Sequence, residues 1–251
     1  MTSALRIALV YPDLLGTYGD RGNALVLEHR ARARGIDATI VEVAAGTALP
    51  DSCDIYLLGG GEDAPQVAAA EGLRASRAAL ARALDGGAAL LAVCAGFQLL
   101  GHHYAAAGGR SMEGLALVDL HTTPGPDRLI GEVLVDPDPS TGLPTITGFE
   151  NHGGRTHLGP DERPLGRVTR GGGNGDGTDG VLHGGIVGTY LHGPVLPRNP
   201  ALADHLLAHA TGGALAGIDE PIVDRYRAER LSFAALTGSA RRRAERRLHR
   251  G

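Results

Sequence analysis

Short apolar runs alternate along this chain with longer segments whose apolar residues recur at helical spacing. Residues 5–11 (LRIALVY), 38–43, 54–58 (DIYLL) and 88–93 read as strands. Runs this short and this apolar suit strands buried on both faces. Between them, residues 23–34 and 64–84 carry helical periodicity. Gly35 closes the first helix, and Pro65 stands in the first turn of the second, where a missing N–H is tolerated. Strand–helix alternation with short links predicts an α/β fold, a mostly parallel central sheet with helices on both faces. From about Leu115 the pattern changes. LALVDLHT, RLIGEVLVD, TITGFEN and VLHGG read as short strands between turn residues, an antiparallel extension of the sheet. Residues 170–180 (RGGGNGDGTDG) read as a flexible hairpin loop, because no helix follows to offer its N-terminus to a phosphate. A strand at 186–191 and a helix at 200–210 complete a domain spanning residues 1–211. Residues 212–251 form a helix-prone, arginine-rich tail.

The run at 88–93 ends abruptly at Cys94, and Ala95-Gly96 precede the helical pattern of Phe97, Gln98, Leu99 and Leu100. A strand that turns sharply into a helix lifts the residue at the elbow above the sheet rim. It also places that residue beside a helix N-terminus, whose partial positive charge favours a thiolate. A lone cysteine is more often a small core residue. The adjoining small residues, which permit a tight turn, favour a nucleophile. Such a thiol needs a base and an oxyanion hole. Among eleven histidines, His192 ranks first because it follows a strand and precedes Gly193-Pro194; in open parallel sheets functional groups gather at carboxyl strand ends. His152, in FENHGGRT, is its competitor. His102 and His103 are expected about two turns down the helix after Cys94, too far to reach back. The Ala95 N–H supplies one oxyanion donor, and Gly59-Gly60-Gly61, at the end of a neighbouring strand, supplies a second.

Composition trims the alternatives. A chain of 251 residues buries a substantial core, and a net charge of -4 argues for neither nucleic acid nor a membrane surface. Two cysteines make no disulfide framework, and no Cys/His cluster has zinc-ligand spacing, so no metal is expected. The first residues enter a strand without a signal-peptide pattern, and no apolar run approaches a membrane span; a cytoplasmic protein is expected. All 24 basic residues are arginine. Without lysine the chain cannot build the phosphate-binding Gly-x4-Gly-Lys-Ser/Thr loop or a Schiff base.

The segments LLGGGEDAPQ, AVCAGFQLLG and GTYLHGP, in this order, resemble class I (triad-type) glutamine amidotransferases, and most closely those of the cobyric acid synthase type. The resemblance covers residues 5–211 and implies a flavodoxin-like class I glutamine amidotransferase fold. It implies that Cys94 attacks the glutamine carboxamide to form a glutamyl thioester, with His192 as base and Gly60 and Ala95 at the oxyanion hole. YPDLLGTYGDRGN is similar to the glutaminase subunits that serve lipid II amidation. Their partner is a Mur-ligase-like synthetase subunit of the MurT type, forming a heterodimer that amidates the α-carboxylate of D-glutamate in the stem peptide. There the arginine of PGPDRLIGE binds glutamine, pointing to Arg128; a bidentate guanidinium suits a free amino-acid carboxylate. Gln98, Asn151 and His152 join it as candidate substrate-binding residues.

One departure stands out. Most triad-type relatives carry His-x-Glu, but this chain reads His192-Gly193-Pro194. The acid that orients the imidazole is expected from Glu150 or from the partner subunit. No cofactor is expected in this chain, and ATP and Mg are expected on the partner ligase. Three alternatives remain: an amidotransferase subunit for another acceptor such as a cobyrinate-like precursor, a flavodoxin-like cysteine hydrolase, and a non-catalytic regulatory subunit. Ala95 disfavours the hydrolases, which place a histidine directly after the elbow cysteine.

Overall fold

Strands β1 (Leu5–Val10), β2 (Ala38–Val43), β3 (Ile55–Leu58) and β4 (Ala89–Val93) alternate with helices α1 (Arg21–Arg32) and α2 (Asp63–Asp85), as the apolar runs predict. A short helix, α3 (Ala95–Leu99), follows β4 at once. Strands β5 (His103–Ala105), β6 (Ser111–Glu113), β7 (Leu120–Asp136), β8 (Ile146–Leu158), β9 (Gly166–Arg170) and β10 (Thr178–Asp179) form a second sheet. The chain returns to the first sheet through β11 (Val181–His183) and β12 (Ile186–Thr189), then adds α4 (Val195–Arg198) and α5 (Pro200–Thr211). This computed structural model describes residues 4–105 and 111–232. It divides into two compact units, Met1–Ala216 and Gly217–Gly251. In the second, residues 221–232 are helical; of the predicted tail, residues 212–220 are not helical and residues 233–251 lie outside the described residues.

The first sheet runs β11-β12-β4-β3-β1-β2, and only β11 is antiparallel. Every residue of β3 and β4 is buried, which explains why their sequences lack the alternation of a half-exposed strand. Leu58 pairs with Ala92, and Val93 with Thr189, so β3, β4 and β12 end side by side. The residues after those three ends are Gly59-Gly60-Gly61, Cys94 and, three positions beyond β12, His192. Strand register thus assembles three distant segments at one rim.

Helices α1 and α5 pack together. Arg30 sends Nε and Nη2 to the two Asp204 oxygens, at 2.7 and 2.8 Å, and Arg34 Nη2 adds a third bond at 2.8 Å. Asn199 grips β8 in a similar way: its Oδ1 accepts from Thr147 N–H and its Nδ2 donates to Thr147 C=O. That grip matters to the site because β8 also pairs with the histidine segment.

Three expectations need correction. The runs at 115–122 and 128–136 do not form two strands; β7 is one 17-residue strand whose register on β8 shifts between Pro124 and Leu129. Prolines 124 and 126 cannot donate to a ladder, so the irregularity falls where they stand. The helix after Cys94 is five residues long, and His103 begins β5. Gly101 ends that helix because the chain must cross the Leu120 backbone, where a Cβ would meet a carbonyl oxygen at 2.4 Å. The glycine-rich segment is a tied turn. Glycines 171, 173, 175 and 177 take positive φ, and Asn174 bonds Gly180 through both its carbonyl oxygen and its amide. Among the described residues no helix is long and apolar enough to cross a membrane.

The Arg30–Asp204–Arg34 cluster yields a measurable consequence. Burial opposes the Asp204 charge, but the two guanidinium groups outweigh it and hold the carboxyl below its ordinary value. Asp204→Asn is expected to lower unfolding free energy at pH 7 by about 2 kcal/mol. Because a depressed carboxyl stabilises above its unfolded value and loses that effect as pH falls through its folded value, urea melts of variant and wild type should converge below about pH 3. A gap that persists there would point to packing alone.

Candidate active site

Cys94 occupies the elbow between β4 and α3 at φ 51 and ψ -104, one of three non-glycine residues with positive φ among the described residues. A residue with a Cβ is strained there, and the surroundings enforce it. Its N–H donates to Thr189 C=O at 2.8 Å, and Gly96 N–H donates to Gly59 C=O at 3.2 Å, so the elbow is stitched to both neighbouring strand ends. Gly96 has to be glycine: a Cβ would lie 2.6 Å from the Leu58 carbonyl oxygen. Cys94 is 7% exposed. Ala95 is the first residue of α3, where an N–H has no carbonyl of its own helix to meet.

Gly60 brings nucleophile and base together. A Cβ on Gly60 would stand 2.6 Å from His192 Cε1 and 3.6 Å from Cys94 Cβ, so both side chains flank one backbone atom. His192 is held from behind by a two-way backbone pair with Phe149, at 2.8 and 3.2 Å. Its side chain is almost wholly buried, and neither ring nitrogen has a hydrogen-bond partner among the described residues. Burial, followed by the charges of His152 and Arg128, lowers its pKa to about 4. At neutral pH the imidazole is therefore uncharged, with a ring nitrogen able to accept a proton, but the burial that keeps it neutral also disfavours the imidazolium that would result.

The expected oxyanion donor behaves differently. The Gly60 N–H donates to Asp20 Oδ2 at 2.8 Å and so is already engaged. Asp20 stands at the N-terminus of α1 without capping it; its carboxylate is directed to Gly60 and to Asn23 Nδ2. Burial pushes its pKa up to about 6, the two hydrogen bonds offsetting this only in part. Asn23 Oδ1 accepts from Leu196 N–H at 2.9 Å, so one helical turn holds both the glycine strip and the segment after His192. Sequence reading missed Asp20 and Asn23; their signal was the polar pair at the start of a helix, in a segment quoted only for its resemblance.

His152 is no rival base. Its Nδ1 faces Gly154 C=O at 3.0 Å, its Nε2 faces Glu150 Oε2 at 3.3 Å, and its ring stacks on Tyr190 at 3.6 Å. Glu150, proposed from sequence to orient His192, is committed elsewhere: besides His152 it accepts from Gly172 and Gly173 N–H, both at 2.9 Å. Burial works against its charge, and these bonds outweigh it, leaving its pKa lowered. Glu150 lies one residue beyond the partner of His192 and, with strand side chains alternating, ties the glycine-rich turn instead. Gln98 also faces inward, donating to Tyr190 Oη at 3.2 Å and accepting from Gln66 Nε2 at 2.9 Å. It ties α2 to Tyr190 instead of facing the site.

Arg128 and Asn151 do reach the site. Arg128 Nε donates to Asn151 Oδ1 at 2.6 Å, and Asn151 Nδ2 donates to Tyr18 Oη at 2.6 Å. The Tyr18 ring lies 4.2 Å from the His192 ring. Arg128 sits at the register shift of β7, exposed, and its Nη2 also donates to Asn151 C=O at 3.3 Å, so Asn151 holds one edge of the guanidinium and, among the described residues, Nη1 remains for an anion. Tyr18 was not singled out from sequence. Among the described residues no group of three or more His, Cys, Asp and Glu could hold a metal ion. A separate cavity of about 1090 Å³, lined by residues including Asp136, Arg163 and His205, contains none of these groups.

Residues 6–200 match the CobB/CobQ-like glutamine amidotransferase domain. The lipid II isoglutaminyl synthase subunit GatD of Staphylococcus aureus is 39% identical over 201 residues, 79% of this chain and 81% of its own. That of Streptococcus pneumoniae is 37% identical over 82% of this chain and 80% of its own. A cobyric acid synthase from Brucella anthropi is 31% identical over 62% of this chain, but only 32% of that longer protein. Among solved structures, a glutamine amidotransferase aligns with a TM-score of 0.56 and 17% identity, covering 82% of this chain and 98% of the other. That likeness shows the fold.

The buried imidazole sets a titration test. Unfolded, a histidine protonates near 6.5; folded, His192 resists until about 4. The stability linked to it is intact above pH 6.5 and is lost as pH falls toward 4. NMR titration of His192 should give a midpoint near 4, and Gly60→Ala, which drives a methyl into Cε1, should move the midpoint toward 6.5. A wild-type midpoint above 6 would contradict the burial.

Proposed function

The chain belongs to the CobB/CobQ-like glutamine amidotransferase family, and on that premise we propose that it is the glutamine-hydrolysing subunit of a lipid II isoglutaminyl synthase. The observation that carries the chemistry is the meeting of Cys94 and His192 across Gly60. An uncharged imidazole takes the thiol proton, and the thiolate attacks the side-chain carboxamide carbon of L-glutamine. The tetrahedral oxyanion is held by the Ala95 N–H; the Gly60 N–H joins once it exchanges the Asp20 carboxylate for the substrate oxygen. The imidazolium returns its proton to the leaving nitrogen, the C–N bond breaks, and ammonia departs from a glutamyl thioester. Water, deprotonated by the same imidazole, then attacks the thioester to release glutamate and restore the thiol. Arg128, with Asn151 beside it, receives the α-carboxylate of glutamine.

Ammonia is consumed elsewhere. The acceptor carboxylate, the α-carboxylate of D-glutamate in the lipid II stem peptide, requires activation by ATP and Mg on a Mur-ligase-like partner of the MurT type. The two subunits act as a heterodimer in the cytoplasm. His192 becomes charged during turnover, with no carboxylate of this chain bonded to its ring among the described residues, so the orienting acid comes from the partner.

Two measurements test this reading. Cys94→Ala should abolish glutamine-dependent amidation of lipid II by the complex and leave amidation from added ammonium unchanged; equal loss of both would refute ammonia transfer. Arg128→Ala should raise the KM for glutamine by about tenfold or more, with a smaller change in kcat, because a carboxylate contact is made in ground and transition states alike. An unaltered KM would remove Arg128 from the binding site.

A further inference from the structure

We infer that Tyr18 is the positioning residue for the His192 imidazole, its ring setting the imidazole plane and its hydroxyl anchored to Arg128 through Asn151. The inference deepens the proposed glutamine hydrolysis and rests on that reading for its purpose, though not for its test. A base needs a fixed ring orientation, which a hydrogen-bonded carboxylate supplies in other cysteine and serine enzymes. Within this chain nothing of that kind reaches His192: among the described residues neither ring nitrogen has a partner, and Glu150 is engaged by His152, Gly172 and Gly173. The backbone pair with Phe149 fixes the main chain of His192 but leaves its side-chain torsions to packing. The Tyr18 ring, 4.2 Å away and tilted by 43°, is the aromatic surface that packs there.

Tyr18 is itself held on three sides. Its neighbours bracket Gly60: Thr17 N–H donates to Gly60 C=O at 3.2 Å, and Asp20 accepts from Gly60 N–H at 2.8 Å. Its hydroxyl accepts from Asn151 Nδ2 at 2.6 Å, and Asn151 Oδ1 accepts from Arg128 Nε at 2.6 Å. The ring that steers the imidazole is therefore fixed to the same glycine that separates imidazole and thiol, and to the arginine assigned to the substrate carboxylate. The titratable groups around His192 are Cys94, Tyr18, His152 and Arg128.

The test is the pH profile of Cys94 alkylation by iodoacetamide on the full chain, with Cys94 and Cys53 distinguished by peptide mass spectrometry. Tyr18→Leu should slow the pH 7 rate by about tenfold or more and move the profile toward higher pH, as for a thiol without an oriented base. Tyr18→Phe should recover at least about half of that loss on a logarithmic scale, since the ring is kept. In a His192→Ala background Tyr18→Leu should change the rate by less than about twofold, because a residue acting through another is silent once that residue is gone. A Tyr18→Leu rate within twofold of wild type, or an undiminished effect without His192, would overturn the inference. Should Tyr18→Leu fail to fold, Asn151→Ala decides: it unties the tyrosine hydroxyl, and a rate unchanged from wild type counts against the role. Alkylation consumes no glutamine, so absence of glutamine hydrolysis in the wild-type complex would refute the functional reading and leave this profile standing.

Discussion

Everything at the catalytic rim depends on the missing side chain of Gly60. A Cβ there would overlap the His192 imidazole and stand in contact with Cys94 Cβ, so both side chains crowd the space that a residue larger than Gly60 would fill. Its N–H and C=O are both taken, by Asp20 and Thr17, so the peptide planes around it are fixed although glycine alone would let them turn. The spacing of the two side chains is thus imposed on a flexible residue from outside. Asp20 is buried for this purpose, at the cost of a pKa displaced to about 6.

Burial dominates the electrostatics around the site. His192, Asp20 and Asp179 are each shifted toward their neutral forms, Asp179 to about 7 while it accepts from Thr189 and Tyr190 at the end of β12. A neutral imidazole is ready to accept the thiol proton, but the imidazolium that follows has no compensating carboxylate bonded to it among the described residues. Glu150 is close in sequence to the strand pair that holds His192, yet its carboxylate is engaged by two glycine amides and His152.

The β7–β8 ribbon shows how a second sheet serves a site on the first. Its pairing with His192 at Phe149 carries Asn151 and Arg128 over the rim, and the register shift around Pro124–Leu129 is where Arg128 emerges. In sequence that stretch reads as a loop, because two prolines and a glycine interrupt the alternation that marks strands. Propensity there predicts a break; the long ladder on either side overrides it.

The apolar runs at β1, β3 and β4, the elbow at Cys94 and the histidine after β12 were legible in the sequence, since each is a local matter of hydrophobic pattern and turn chemistry. So was the candidacy of Arg128, through its segment's resemblance. What the sequence could not state was direction. Whether the Gly60 N–H faces substrate or Asp20, whether Glu150 faces His192 or a glycine turn, and whether Tyr18 lies against the imidazole are set by contacts between residues far apart along the chain. A residue type and its neighbours determine what chemistry is possible at a position. Only the packed tertiary structure, by filling or leaving empty the space around each polar atom, decides which partner that atom meets.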